Sequence, residues 1–185
     1  MKTEKSAHSE QFKSALVCLV VLQIEVNAAL QYLNSACSIE GQFSPAQLDD
    51  HQKVSYELAF SVADLEAASA MLKYAIKVSS DDRLCEQLSL AFCADSLRTV
   101  WQRLLTHATE AGLSRSQLLD LMDSEPLAGF LAEHGDVAQF AAIGTELLAR
   151  GNVRLPSGLD DEKEIIRDSF ARFAEEVVMP QAEHI

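Results

Sequence analysis

Helix breakers are scarce in this sequence. Seven glycines and four prolines in 185 residues are too few for a turn-rich β-sandwich or a disordered linker protein. Positive charge is scarce too: 15 Lys and Arg stand against 28 Asp and Glu, a net charge of −13. Phosphate binding needs clustered basic residues, so no nucleic-acid partner is expected, nor docking on an anionic membrane. Long apolar runs are missing. The longest, Ala15 to Leu22, is followed directly by Gln23 and Glu25, whereas a bilayer-spanning helix needs about 20 apolar residues. No membrane span is therefore expected. The run has roughly the length of a secretory signal core, but Glu4 and Glu10 dilute its basic flank and no clear A-x-A site follows. Cleavage there would also remove Cys18 and leave an odd number of cysteines. The expectation is a buried helix start. No C-x-x-C pair occurs among Cys18, Cys37, Cys85 and Cys93. All four sit among Ala, Leu, Ser or Phe, where free cysteine behaves as a small hydrophobe. A reduced, cytoplasmic protein is the simplest reading.

Standard catalytic signatures are absent as well. There is no H-E-x-x-H, P-loop, G-x-G-x-x-G or G-x-S-x-G. A carboxylate-rich helical protein invites a di-iron centre, which needs Glu-x-x-His on two helices. The residues three before His8, His51, His107, His134 and His184 are Lys5, Leu48, Leu104, Leu131 and Gln181, so that centre is not expected.

What remains is helix. Hydrophobic residues make up 48% and charged residues 23% of a 20.3 kDa chain, the balance of a soluble globular protein with a real core. Residues 1–9 are polar and expected to fray. Helix is predicted from about 10 to 37, with strand an alternative near 17–26 because of its Val, Ile and Cys. Ser44-Pro45-Ala46-Gln47 is a capping box with proline at the first helical position. It opens a helix predicted to run to about Val78 with an apolar stripe of Leu58, Val62, Leu65, Ala68, Met71, Leu72 and Ile76. A third helix is predicted over about 82–111, with Leu84, Leu88, Phe92, Leu97, Trp101 and Leu104 on its apolar side and Gly112 as its stop. Ser114 to Gln117 is a second capping box. Asp136 caps a helix to about Arg150, stopped by Gly151. Residues 151–158 read as a linker. A last helix starts near Asp160, whose acidic first turn suits the helix dipole. Its predicted buried stripe is Ile166, Phe170, Phe173 and Val177, and Pro180 should end or kink it. The fold expected is all-α: an up-and-down bundle over 10–150, a linker at 151–158, and one further amphipathic helix.

Few side chains invite chemistry. Glu66, on an apolar helix, is a candidate base, but a solvent-facing position beside Lys73 or Lys77 is the expected one. Trp101 between Arg98 and Arg103 suggests an anionic or nucleotide patch; the expectation is a bundle anchor with arginines on its wet side. His107 and Glu110 read as a surface pair. The run Asp160 to Glu164 lacks the glycine and distal glutamate of a calcium loop. No catalytic, cofactor-binding or metal residue is expected in this chain.

One stretch carries more. Residues 159–185 contain Ile166-Arg167-Asp168, Arg172-Phe173-Ala174-Glu175-Glu176, Val178 before Pro180, and Ala182-Glu183. This pattern resembles the opening helix of the acyl-CoA dehydrogenase family. The resemblance implies a helix that begins an α-helical N-terminal domain, with a β-domain and a C-terminal four-helix domain to follow. It places the flavin, the acyl-CoA pocket and the catalytic glutamate further along the parent chain, so it transfers no catalytic residue here. Arg167, Arg172, Phe173 and Pro180 match as helix-packing and surface positions. Residues 62–68 and 91–111 are similar, more weakly, to the long paired helices of the same family's C-terminal bundle. The match starts at Leu159, much later than in typical members, so residues 10–150 would be an unusual extension serving docking or oligomerisation. The chain is then expected to be the truncated front of an FAD-dependent, homo-oligomeric enzyme. That parent would oxidise an acyl-CoA thioester at its α,β carbons and pass electrons to an electron-transfer flavoprotein. The alternative is a stand-alone, non-catalytic helical interaction module.

Overall fold

Between Lys2 and Ala36 the sequence holds neither glycine nor proline, and nothing interrupts the first helix. In the computed structural model, which describes residues 2–78, 82–151 and 155–182 with side chains from Glu10 onward, α1 spans Lys2–Ala36. The polar start expected to fray thus belongs to the helix. So does the segment for which strand was the alternative. Phe12, Ala15, Cys18, Leu19, Leu22, Val26, Ala29 and Leu33 are buried at three- and four-residue steps, the helical period. Val17, Val20 and Ile24 form a second, exposed apolar row. Apolar on both sides, Glu10–Ala36 is long and apolar enough to cross a membrane by length and composition.

A two-residue hairpin reverses the chain. β1 (Ser38–Ile39) pairs antiparallel with β2 (Gln42–Phe43), Ser38 opposite Phe43 and Ile39 opposite Gln42. The turn residues Glu40 and Gly41 both take positive φ, 51° and 79°, as the twist-matched hairpin turn requires.

Ser44 then caps α2 (Pro45–Asp50), its hydroxyl accepting from the Gln47 amide at 3.4 Å. The single helix expected from 45 to 78 is broken at His51, whose amide closes a tighter bond to the Leu48 carbonyl at 2.9 Å. α2 buries no side chain, so nothing ties it to the axis of α3 (Gln52–Val78). α3 buries Val54, Leu58, Ser61, Leu65, Ala68, Leu72, Ala75 and Val78. Ile76, placed in that stripe from sequence, is exposed, because Ala75 occupies the core position beside it.

Asp82 caps α4 (Arg83–Thr106), accepting from the Leu84 amide at 2.9 Å. The expected turn residues 79–81 lie outside the described chain. α4 is the central helix: α1, α3, α5 (Arg115–Met122), α6 (Leu127–His134) and α7 (Val137–Arg150) all contact it. It is buried around most of its circumference, Ser89, Ala91, Ala94 and Ser96 included. Phe92, expected inside, is exposed instead: small residues fill the crowded positions. α4 ends at Thr106 rather than near Ala111. The chain turns through residues 107–112, with the Leu113 amide reaching back to the Ala108 carbonyl at 2.7 Å and Gly112 at φ +67°. A Cβ at Gly112 would lie 2.3 Å from the Tyr32 ring, so glycine serves both the backbone and the contact. Ser114 caps α5 through the Gln117 amide, and Asp136 caps α7 through the Ala138 amide, both at 3.4 Å. Ile143 of α7 packs with Leu84 and Ala91 of α4.

The chain divides into two compact units, Met1–Val153 and Arg154–Ile185. Gly151 stops α7 at φ +67°; residues 152–154 of the expected linker lie outside the described chain. In the second unit Asp160 caps α8 (Asp161–Phe173), accepting from the Lys163 amide at 3.0 Å. A π-helical turn (Ala174–Val178) follows, then α9 (Met179–Ala182), which holds Pro180. The Met179 amide bonds to the Ala174 carbonyl, five residues back. Proline cannot donate to the turn before it, and the widened turn absorbs the misfit. The buried stripe expected here is not buried. Ile166, Phe170, Phe173 and Val177 are 49%, 71%, 55% and 40% exposed, because one helix has no second layer within its own unit to fold onto.

Candidate functional site

The residues that drew attention in the sequence are mostly occupied with structure. Glu66 is exposed. Trp101 donates its indole N–H to the Leu118 carbonyl at 2.7 Å, tying α4 to α5. Arg98 donates to the Gly135 carbonyl at 2.9 Å, holding the end of α6. Arg103 pairs with Asp64 and, at 3.4 Å, with Glu57, and lies over the Phe60 ring. Both cations beside Trp101 are thus taken up by α3 or α6 rather than left to face an anion. His107 corrects the sequence expectation: it is buried, not a surface group, and its Nδ1 lies 3.7 Å from the exposed Glu110. The earlier end of α4 turns it inward under the 107–112 turn. With Asp50, His51, Lys53 and Val54 it lines a shallow groove of about 140 Å³.

The four cysteines are buried free thiols. Burial pushes the Cys18 thiol up to about 11 from 9.0, and Cys93 up to about 12. Burial likewise raises Cys85. Cys18, Cys85 and Cys93 are therefore thiols rather than thiolates near neutral pH, and none of these three is an activated nucleophile.

A larger groove, of about 330 Å³, lies between the start of α1 and α6. Glu10, Gln11 and Ser14 form one wall; Glu125, Pro126, Gly129, Phe130, Glu133 and His134 form the other. α6 is placed by the Arg98 bond to its C-terminal cap and by its buried Leu127, Phe130 and Leu131. Gln11 donates to Glu133 Oε1 at 2.9 Å across the groove. Glu125 folds over Gly129: a Cβ there would meet its carboxylate oxygens at 2.8 and 3.0 Å. The His134 ring stacks in tilted fashion on Phe130, centroids 4.8 Å apart. Its side chain is only 6% exposed, and its Nε2 lies 3.7 Å from Glu133 Oε1, beyond hydrogen-bond distance. Burial pushes the His134 pKa below its ordinary 6.5, against the opposing pull of Glu133 and Glu86. The imidazole is neutral at pH 7 and can accept or donate one hydrogen bond. The groove therefore offers carboxylates, one neutral imidazole and an apolar floor, but no activated nucleophile. Among the described residues, no group of three or more His, Cys, Asp or Glu is arranged to hold a metal ion.

Sequence reasoning did not single out Gln11, Glu125, Glu133 or this role of His134. Gln11 and Glu133 are 122 positions apart, and no local motif joins them. No protein-family model matches the chain, and no curated protein matches it in sequence.

Proposed function

We propose that this chain is the N-terminal portion of an acyl-CoA dehydrogenase-like flavoenzyme, with residues 159–185 as the opening helix of its α-helical N-terminal domain. The resemblance of that segment suggests the family. The observation that carries the reading is the open apolar face of α8 and the π-turn: Ile166, Phe170, Phe173 and Val177 are exposed, none is buried, and a capped amphipathic helix with such a face calls for a packing partner. In the parent enzyme, flavin chemistry would oxidise the acyl-CoA thioester at its α,β carbons and deliver electrons to an electron-transfer flavoprotein. The described residues do not fit FAD themselves, since the largest groove named above is lined by Glu10, Glu125 and Glu133, which repel a pyrophosphate. The resemblance puts flavin and substrate in parts of the parent beyond these residues. The bundle serves docking or oligomer assembly, for which the exposed row Val17, Val20 and Ile24 on α1 is the support. The reading carries with it a cytoplasmic, homo-oligomeric protein in which α1 is a bundle helix rather than a span.

The same exposed row favours a second reading, a non-catalytic helical interaction module. Intact mass and a flavin absorbance scan of the protein isolated from its source separate the two. A yellow species well above 20.3 kDa is expected. A colourless species near that mass would overturn the flavoenzyme reading and leave the interaction module.

A further inference from the structure

We infer that α1 is a self-association surface: its exposed row Val17, Val20 and Ile24 packs antiparallel on the same row of a second copy of this chain. The inference rests on the reading of the bundle as an assembly element and gives that element a partner; it does not depend on flavin.

The row is apolar and free of charge. Val17, Val20 and Ile24 are 50%, 60% and 60% exposed. They recur at steps of three and four, so they share one face of the helix, opposite the buried series from Ala15 to Leu33. Half-buried Leu16 and Val21 flank them, and exposed Ala28 and Gln31 continue the face toward the end of α1. Charged residues make up 23% of the chain, yet residues 14–39 carry one, Glu25. A face this neutral is desolvated at little electrostatic cost, and it gives a basic partner almost nothing to pair with.

The two charges that bracket the row choose the occupant. Exposed Lys13 stands before Val17, and half-buried Glu25 follows Ile24; the two lie about 18 Å apart along the axis. Opposite signs at opposite ends make the face complementary to itself in one orientation. Laid antiparallel about a two-fold axis near Val20, each copy sets its Lys13 end against the second copy's Glu25 end, with Val17 near the second copy's Ile24. Laid parallel, like charges would meet at both ends. Glu25 forms no ion pair among the described residues. Lys13 has Glu10 at 3.6 Å, both well exposed, a contact that contributes little in water. A two-fold contact uses the same patch on both copies and closes at two. A bilayer suits the face less: the inward side of α1 is already packed in the bundle, and a net charge of −13 opposes anionic headgroups.

Sedimentation equilibrium of the full chain tests the assignment, at about 0.15 M salt, where repulsion beyond about 8 Å is largely screened. A species of twice 20.3 kDa is expected at concentrations up to about 100 µM. Val20→Glu should give a monomer with an unchanged melting temperature, because residue 20 faces solvent. Lys13→Glu should weaken the dimer about tenfold. Adding Glu25→Lys to it should restore the affinity to within about threefold, since the swap returns opposite signs to each end of an antiparallel pair. Phe170→Glu alters the open apolar face of α8 and should leave the dimer intact. A dimer lost in Phe170→Glu and kept in Val20→Glu would overturn the inference while leaving the assembly reading in place. A wild-type chain that stays monomeric would overturn it, as would a charge swap that restores nothing. So would a monomer that co-sediments with phosphatidylcholine vesicles and ceases to do so as Val20→Glu, which would give the face to lipid. The flavin scan of the source protein is independent of all these outcomes.

Discussion

α4 and α8 begin alike and end in opposite environments. Each starts at an aspartate whose side chain accepts from an early amide, Asp82 from Leu84 and Asp160 from Lys163. Each continues without glycine or proline. α4 is then buried on nearly every side, while α8 buries nothing. The cleaner amphipathic pattern belongs to α8, whose Ile166, Phe170 and Phe173 are continued by Val177 of the π-helical turn at steps of three or four. α4 lacks a clean stripe because helices surround it, and it meets them with small residues such as Ser89, Ala91, Ala94 and Ser96. The comparison teaches that amphipathic spacing reports an intention to pack, not a partner. A helix at the centre of a bundle loses the stripe.

The sharpest test of that contrast is a pair of truncations. Leu97→Ala removes a fully buried side chain of α4 and should cost about 2–5 kcal/mol in urea unfolding. Phe170→Ala on α8 should change the stability of this chain by less than about 0.5 kcal/mol. Comparable losses would break the comparison. Next in size is Gly112→Ala. It forces a positive φ on a side chain and drives Cβ to 2.3 Å from Tyr32, so a loss of about 1–3 kcal/mol is expected by thermal unfolding. An unchanged melting temperature would show that the 107–112 turn relaxes freely. Smaller again is Asp160→Ala, which removes the α8 cap. About 1 kcal/mol of local helix stability should go, read as faster amide exchange over 161–165, with the exchange of α4 unaffected.

The gentlest change is in pH. Burial lowers His134 below 6.5, so the unfolded chain takes up its proton first on acidification. Stability from this group is intact above about pH 6.5 and falls as pH drops through the folded value. Cys18 and Cys93 are raised from 9.0 to about 11 and about 12. The unfolded chain loses those protons first on the alkaline side, so their contribution is intact below pH 9 and declines above it. Urea midpoints at pH 5, 7.5, 8.5 and 10.5 should show a plateau across the middle pair and lower values at both ends. A midpoint that keeps rising from pH 8.5 to 10.5 would contradict the burial of the thiols.

Local signals were legible where one residue answers to its neighbours. Ser44, Ser114, Asp136 and Asp160 cap the helices their spacing suggests, since a cap bond spans only two or three residues. The burial of the cysteines and the anchoring of Trp101 were legible from composition and side-chain character. The break at His51 was not, because it depends on α2 finding nothing to pack against. The outward turn of Ile76 and Phe92 was not, because adjacent positions compete for one core site and the facing helix decides which fits. His107 and His134 escaped because their burial depends on tertiary placement, His107 on the turn after α4 and His134 on the packing of α6 against distant segments.

By itself, then, the sequence determined an acidic, all-helical chain, because breaker content, caps and apolar period are short-range properties carried in every window of residues. Only the tertiary structure decided which apolar positions are buried. It alone brought Gln11 and Glu133 to 2.9 Å, and it alone left a buried imidazole facing a groove. Those outcomes depend on contacts between segments far apart in the chain, and no local window contains both partners.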